Sequence, residues 1–249
     1  MLTKVKTADE IQAMRQSGHM LATVLDILCL DTKPGITTKS LADIAAKELK
    51  KLGGEPAFLG YYGFPDVVCI SVNDEVVHGI PGNYVVKDGD IVSIDFGVTY
   101  KGMITDAARS VVAGSANKSK LKLLSDTKIS LDAGIEQLHG GVRVGDISAA
   151  VQEVLDGSGL GIVRDLVGHG VGHNLHEEPN IPNYGRAGTG QILQSGMTIA
   201  IEPMATNGSH RVYTAADGWT VLTRDGSLAA HFEDTVLITD DGYEILTRI

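Results

Sequence analysis

The chain has 249 residues, of which 43% are hydrophobic, 21% are charged and 30 are glycine; that composition supplies one sizeable core and is far from that of a disordered segment. A formal net charge of -10 argues against nucleic-acid partners, whose binding draws on Lys and Arg displacing counterions. Cys29 and Cys69 form neither a disulfide framework nor a CxxC site, and the longest apolar stretch, residues 21–30, is broken by Thr23 and Asp26, so a cytoplasmic protein with no export signal or membrane contact is expected.

The first predicted helix opens on Thr7-Ala8-Asp9-Glu10, a capping box, and carries Ile11, Met14, Leu21, Leu25 and Leu28 on one face. A second runs from about Ser40 through Leu41, Ile44, Ala45, Leu49 and Leu52 and stops at Gly53-Gly54. Two more follow in the later half. One buries Leu121, Leu124, Leu131, Ile135 and Leu138 and ends before Gly140-Gly141; the other starts at Asp146 and carries Ile147, Val151, Val154 and Leu155 to Gly157. Strand patterns occupy residues 67–72, 91–98, 103–112, 197–201, 219–223 and 235–238.

The order, helices then strands, occurs twice. Residues 86–95 align without a gap on residues 193–202, an offset of 107, and each segment ends in a carboxylate, Asp95 or Glu202. His78 and His176 each precede these strands in a His-x-x-Pro segment. Chance similarity between two turn-strand segments is the plainer explanation, but three features recurring in one order favour a duplicated half. The expected architecture is a single α/β (α+β) domain over residues 1–249, with pseudo-repeat halves of about 1–113 and 114–249.

Asp95 ends an otherwise apolar strand, and Asp106 follows 11 positions later across a turn at residues 100–102. A hairpin would bring the two acids opposite or diagonal on one face, where they repel unless a cation or a proton lies between them. Either acid alone would be read as a turn or strand-end residue; Glu202 and Glu233 shift that balance. In residues 168–176, the histidines 169, 173 and 176 have helical spacing, but Gly168, Gly170 and Gly172 argue for a Gly-rich extended loop, and no HExxH signature is present. His19, His139 and His210 carry no motif. His231, two residues before Glu233, is close to it in sequence but is expected to stand outside the site.

Residues 68–82, 92–110, 168–185, 198–204 and 231–239 together resemble the type I methionine aminopeptidases, metallopeptidases of the pita-bread fold. The resemblance implies two antiparallel sheet halves around a dinuclear site. In that site Asp95 and Glu233 hold both metals, Asp106 and His169 each complete one coordination sphere, and Glu202 is both ligand and proton shuttle. It further implies that His78 contacts the scissile amide nitrogen or the intermediate and His176 the carbonyl oxygen. Phe58, Tyr61, Phe64, Cys69, Leu175 and Trp219 would form the methionine pocket. Phe58, Phe64, Leu175 and Asp234 depart from the residues frequent there. The substrate implied is the N-terminus of a nascent polypeptide at the ribosome, processed by a monomer. A small second residue would be preferred, so Leu2 would leave the chain's own Met1 in place.

The donor set agrees on its own chemistry: four carboxylates and one imidazole suit two divalent ions such as Co, Mn, Fe(II) or Zn. No G-x-S-x-G nucleophile motif occurs. Only 31 positions separate Glu202 from Glu233, which excludes the insertion that type II members carry there. The rival readings are a proline-directed relative, a non-catalytic binding module and a metal-free creatinase-like hydrolase.

Overall fold

The structure, a computed structural model, describes residues 3–249; Met1 and Leu2, and with them the expectation about Leu2, lie outside the described residues. In chain order the helices are α1 (Ala8–Asp31), α2 (Thr38–Leu52), α3 (Lys118–Ile135) and α4 (Val144–Ser158). The strands are β1 (Glu55–Pro56), β2 (Cys69–Val72), β3 (Glu75–Val77), β4 (Ile91–Tyr100), β5 (Met103–Val112), β6 (Gly161–Ile162), β7 (Gly168–Gly170), β8 (Glu177–Ile181), β9 (Thr198–Ile201), β10 (Met204–Thr206), β11 (Val212–Thr214), β12 (Val221–Thr223), β13 (Ala229–His231), β14 (Asp234–Ile238) and β15 (Tyr243–Ile245). No described helix is long and apolar enough to cross a membrane.

The capping box of α1 forms as its sequence requires: Glu10 N–H donates to Thr7 Oγ1, and Thr7 N–H donates to Glu10 Oε2. Helix α2 starts earlier than expected, because Thr37 is its N-cap and its hydroxyl accepts from Ser40 N–H. In α4 the expected first residue, Asp146, is instead the third, and its carboxylate accepts the N–H of Arg143 at the helix start. That helix ends on Gly159 in the left-handed region rather than on Gly157.

Leu121 does not belong to the buried face of α3; it is exposed. The buried stripe runs through Leu123, Thr127, Ser130, Leu131 and Gly134. A Cβ on Gly134 would meet Val151 of α4 at 2.7 Å, so small residues carry the close helix contact, and a count of large apolar residues misses them.

All strand pairs are antiparallel and fall into four sheets among the described residues, rather than one sheet per half. Two sheets matter most for the site: β4 pairs with β5 along its whole length and also with β2 at residues 92–95 and β1 at residues 98–99, while the five-stranded sheet has the order β15-β14-β9-β7-β8. Helices α1 and α2 share one apolar core with β2 and β4. Helices α3 and α4 share another with β9 and β14.

Candidate metal centre

Strand β4 does not end at Asp95 but continues to Tyr100, so Asp95 is held mid-strand by ladders on both sides, opposite Cys69 of β2 and Ala108 of β5. Asp106 on β5 is opposite Gly97. Asp95 and Asp106 are therefore diagonal neighbours on one face, and both are buried. Thr235 stitches β5 to β14 there: its Oγ1 accepts from Asp106 N–H at 2.9 Å and donates to Asp106 O at 2.8 Å.

The glycine-rich segment is a loop only in part. Gly168–Gly170 is strand β7, clamped between β8 and β9. Glycine allows the approach, since a Cβ at Gly168 would lie 2.4 Å from Ala200 O and one at Gly170 would lie 2.8 Å from Glu178 O. His169 stands between them with Nδ1 2.9 Å from Gly170 O. That hydrogen bond keeps the proton on Nδ1 and leaves the Nε2 lone pair free, 3.4 Å from Glu202 Oε1.

Glu202 follows directly after β9, with its carbonyl bonded by Asn183 Nδ2. Glu233 is the residue at which the chain passes from β13 to β14, not a mid-strand residue, and it exchanges two backbone hydrogen bonds with Ala108 of β5. Arg109 Nη1 also donates to Glu233 O at 2.5 Å, and its Nη2 pairs with buried Asp234.

One cavity of about 270 Å³ is lined by all of the sequence-predicted residues: Asp95, Asp106, His169, Glu202 and Glu233, His78 and His176, and the six side chains Phe58, Tyr61, Phe64, Cys69, Leu175 and Trp219. The cavity wall also includes Tyr62, Val77, Leu166 and Val167, which carried no motif. Phe58, Phe64, Cys69 and Leu175 form a buried apolar cluster against which Tyr61 and Trp219 pack, with Phe64 edge-on to Trp219 at 5.2 Å. The His176 ring centroid lies 4.3 Å from that of His169 with the planes tilted by 58°, and its Nδ1 lies 2.9 Å from the Tyr61 hydroxyl. His78 adopts a φ of +61°, next to a glycine that cannot carry a Cβ because Ile70 O lies where it would project. His173 points elsewhere, to Glu10 Oε1 at 2.8 Å.

His231 departs from the expectation that it stands outside the site. It is 1% exposed, and its Nε2 lies 3.8 Å from an oxygen of Glu202 and 3.8 Å from one of Glu233. Its neighbourhood depends on the crossing of β13 into β14 over β5, which no local pattern reports.

Burial and mutual repulsion push the carboxyls of Asp95, Glu202 and Glu233 well above their usual range, and burial lifts Asp106 to about 7. Burial, reinforced by His176, lowers His78 to about 4 and His169 to about 3. Both imidazoles are thus neutral at pH 7. Asp95 Oδ1, Asp106 Oδ1 and Glu233 Oε1 are buried with no hydrogen-bond partner among the described residues. Acceptor oxygens stranded in this way, beside a free imidazole nitrogen, fit divalent cations. The tightest group is Asp106, His169 and Glu233, each offering a ligand atom within 4.8 Å of the others; Asp95 and Glu202 complete the wall around it.

The profile of metallopeptidase family M24 matches residues 12–240. Methionine aminopeptidase of Clostridium perfringens is 48% identical over 245 residues, covering 98% of both chains. The crystal structure of methionine aminopeptidase from Thermotoga maritima superposes with a TM-score of 0.98 at 44% identity, covering 100% of each chain. Prolidase from Pyrococcus furiosus shares the fold alone, with a TM-score of 0.79 at 24% identity, and this chain covers 65% of it. The antiparallel sheets and flanking helices are accordingly those of the pita-bread fold, and the chain belongs to metallopeptidase family M24, among its methionine aminopeptidases.

Proposed function

We propose that this chain releases the N-terminal methionine of nascent polypeptides by attack of an activated water on the first peptide bond. One observation carries the reading: the apolar cluster of Phe58, Phe64, Cys69 and Leu175 opens directly onto the buried carboxylates within a single cavity. Such a pocket accepts a flexible, polarisable thioether.

Asp95, Asp106, His169, Glu202 and Glu233 would hold two divalent ions of the Co, Mn, Fe(II) or Zn class. Bound there, the ions polarise the scissile carbonyl and bring the pKa of a water towards ~7. Glu202 would take the proton at a carboxylate oxygen and return it to the departing amine. His176 Nδ1 lies 2.9 Å from the Tyr61 hydroxyl, and in the tautomer in which Nδ1 accepts the Tyr61 O–H, Nε2–H would be the donor available to a carbonyl oxygen. His78, neutral and partly buried, would be the complementary donor at the amide nitrogen.

The enzyme would act as a cytoplasmic monomer, with the two halves, about 1–113 and 114–249, forming one domain around the site. Its net charge of -10 argues against direct recognition of ribosomal RNA. Peptides Met-Ala-Ser and Ala-Pro-Ala, assayed with and without Co(II) or Mn(II), provide the test. Metal-dependent release of Met alone supports the reading; cleavage of Ala-Pro-Ala would make the chain proline-directed, and no cleavage of either peptide would make it non-catalytic.

A further inference from the structure

Outside the expected ligand set, His231 is the titratable group whose surroundings are least accounted for. It ends β13, and its backbone is fixed on both sides by one serine: His231 N–H donates to Ser110 Oγ at 2.9 Å, and Ser110 Oγ donates to His231 O at 2.8 Å. The ring has no such anchor. Both Nδ1 and Nε2 are buried without a hydrogen-bond partner among the described residues.

What Nε2 faces is specific at the level of single atoms. It lies 3.8 Å from Glu202 Oε2 and 3.8 Å from Glu233 Oε2. Glu202 Oε1, in turn, lies 3.4 Å from His169 Nε2, and Glu233 Oε1 is buried with no hydrogen-bond partner among the described residues. Two glutamates from different strand ends thus share one imidazole.

We propose that His231 is a positioning residue of the metal centre, its Nε2–H bridging Glu202 Oε2 and Glu233 Oε2 and so fixing how both carboxylates are turned towards the cations. The inference rests on the metal reading above and deepens it. A carboxylate that binds a cation must have its rotation fixed, and outer hydrogen-bond partners that do so are a regular feature of metal sites. Nε2 must carry the proton, because a bare nitrogen lone pair facing two carboxylate oxygens would be repelled by both. A separation of 3.8 Å exceeds a formed hydrogen bond; such contacts shorten when the catalytic complex assembles. Direct ligation by His231 is the competing arrangement, and the test separates the two.

The variants are His231→Ala and His231→Gln, the latter because its amide can donate from nearly the same place. Co(II) and Mn(II) binding is measured by titration calorimetry on metal-free protein, with the visible spectrum of the Co(II) form and thermal unfolding of each apoprotein recorded alongside. We expect H231A to bind at least one ion about 10- to 100-fold more weakly. H231Q should restore affinity to within a few-fold, with an unchanged Co(II) spectrum. Wild-type affinity in H231A overturns the proposal. So does failure of H231Q to restore binding together with loss of a nitrogen-ligand signature, which would make His231 a ligand. If H231A does not fold, His231→Asn replaces it: its amide is one methylene too short to reach, so it should behave as Ala is expected to, and wild-type affinity would again overturn the inference. A wild-type protein that binds no divalent ion would instead sink the metal reading on which the inference rests.

Discussion

Asp106 stands diagonally across the β4–β5 ladder from Asp95, because Asp95 faces Ala108 and Asp106 faces Gly97, two positions further along. Both carboxylates therefore emerge on one side of the hairpin, where burial raises both. A pair of buried acids in this arrangement is a liability unless a cation joins them.

Asp106→Asn and Glu202→Gln should each abolish metal-dependent Met release. Losing one ligand removes several kcal/mol of transition-state stabilisation, a fall in turnover of roughly 10³-fold or more at 1.36 kcal/mol per decade. The check is single-turnover cleavage of Met-Ala-Ser at matched metal occupancy; full activity in either variant ends the assignment.

His78→Ala and His176→Ala should lower kcat by about 10²-fold or more while metal content stays at the wild-type level. The pairing of His176 with Tyr61 predicts that Tyr61→Phe reproduces part of the His176 loss. Collapse of metal content in His78→Ala would show it to be a ligand instead.

Divalent-ion affinity should fall with acidity. Cations bind the ionised carboxylate; Asp106 in the metal-free protein ionises only at about 7, and Asp95, Glu202 and Glu233 are raised as well. Below that pH each proton that must be displaced costs about tenfold in affinity per pH unit. His169, lowered to about 3, is already neutral and adds nothing to this slope. Calorimetry in two buffers of different ionisation enthalpy counts the released protons; zero release at pH 6 would contradict the prediction.

Gly97→Ala should crowd the apolar pocket first, since the nearest atoms to a Cβ there belong to Phe58 and Ala57. A Cβ there would lie 2.6 Å from the Phe58 ring. Overpacking of this kind costs about 1–3 kcal/mol, so KM for Met peptides should rise at least about fivefold at unchanged metal content. An unaltered KM would show that Phe58 moves freely.

Lys6→Ala should destabilise the whole domain. The Lys6 side chain is fully buried, bonded to Thr3 Oγ1 at 2.7 Å and paired with buried Glu177 at 3.4 Å. Glu177 in turn accepts from Asn174 N–H at the start of the segment bearing Leu175 and His176. Removing one partner of a buried pair costs about 3–5 kcal/mol, a drop of roughly 6–20 °C in Tm for a domain of this size. Differential scanning calorimetry would register it, and a shift under 2–3 °C, roughly the value for 1 kcal/mol, would mean that water replaces the lysine.

The sequence by itself determined the local chemistry. The capping box of α1 and the turn between β4 and β5 are written in contiguous residues, because capping bonds and two-fold strand alternation act over a few positions. The carboxylates and histidines stood out for the same reason: an acid in an apolar strand, or a histidine between glycines, is anomalous wherever it occurs. Tertiary structure alone decided which of these residues meet. Leu121 was misplaced because Thr127, Ser130 and Gly134 carry the helix contact through small size, which hydrophobic periodicity does not count. Gly168 and Gly170 flank His169 in a strand whose neighbours approach too closely for a Cβ at either glycine. His231 faces Glu202 and Glu233 because β13 hands over to β14 above Ala108, a register set by strands more than a hundred residues apart, and no local pattern encodes a contact made at that separation.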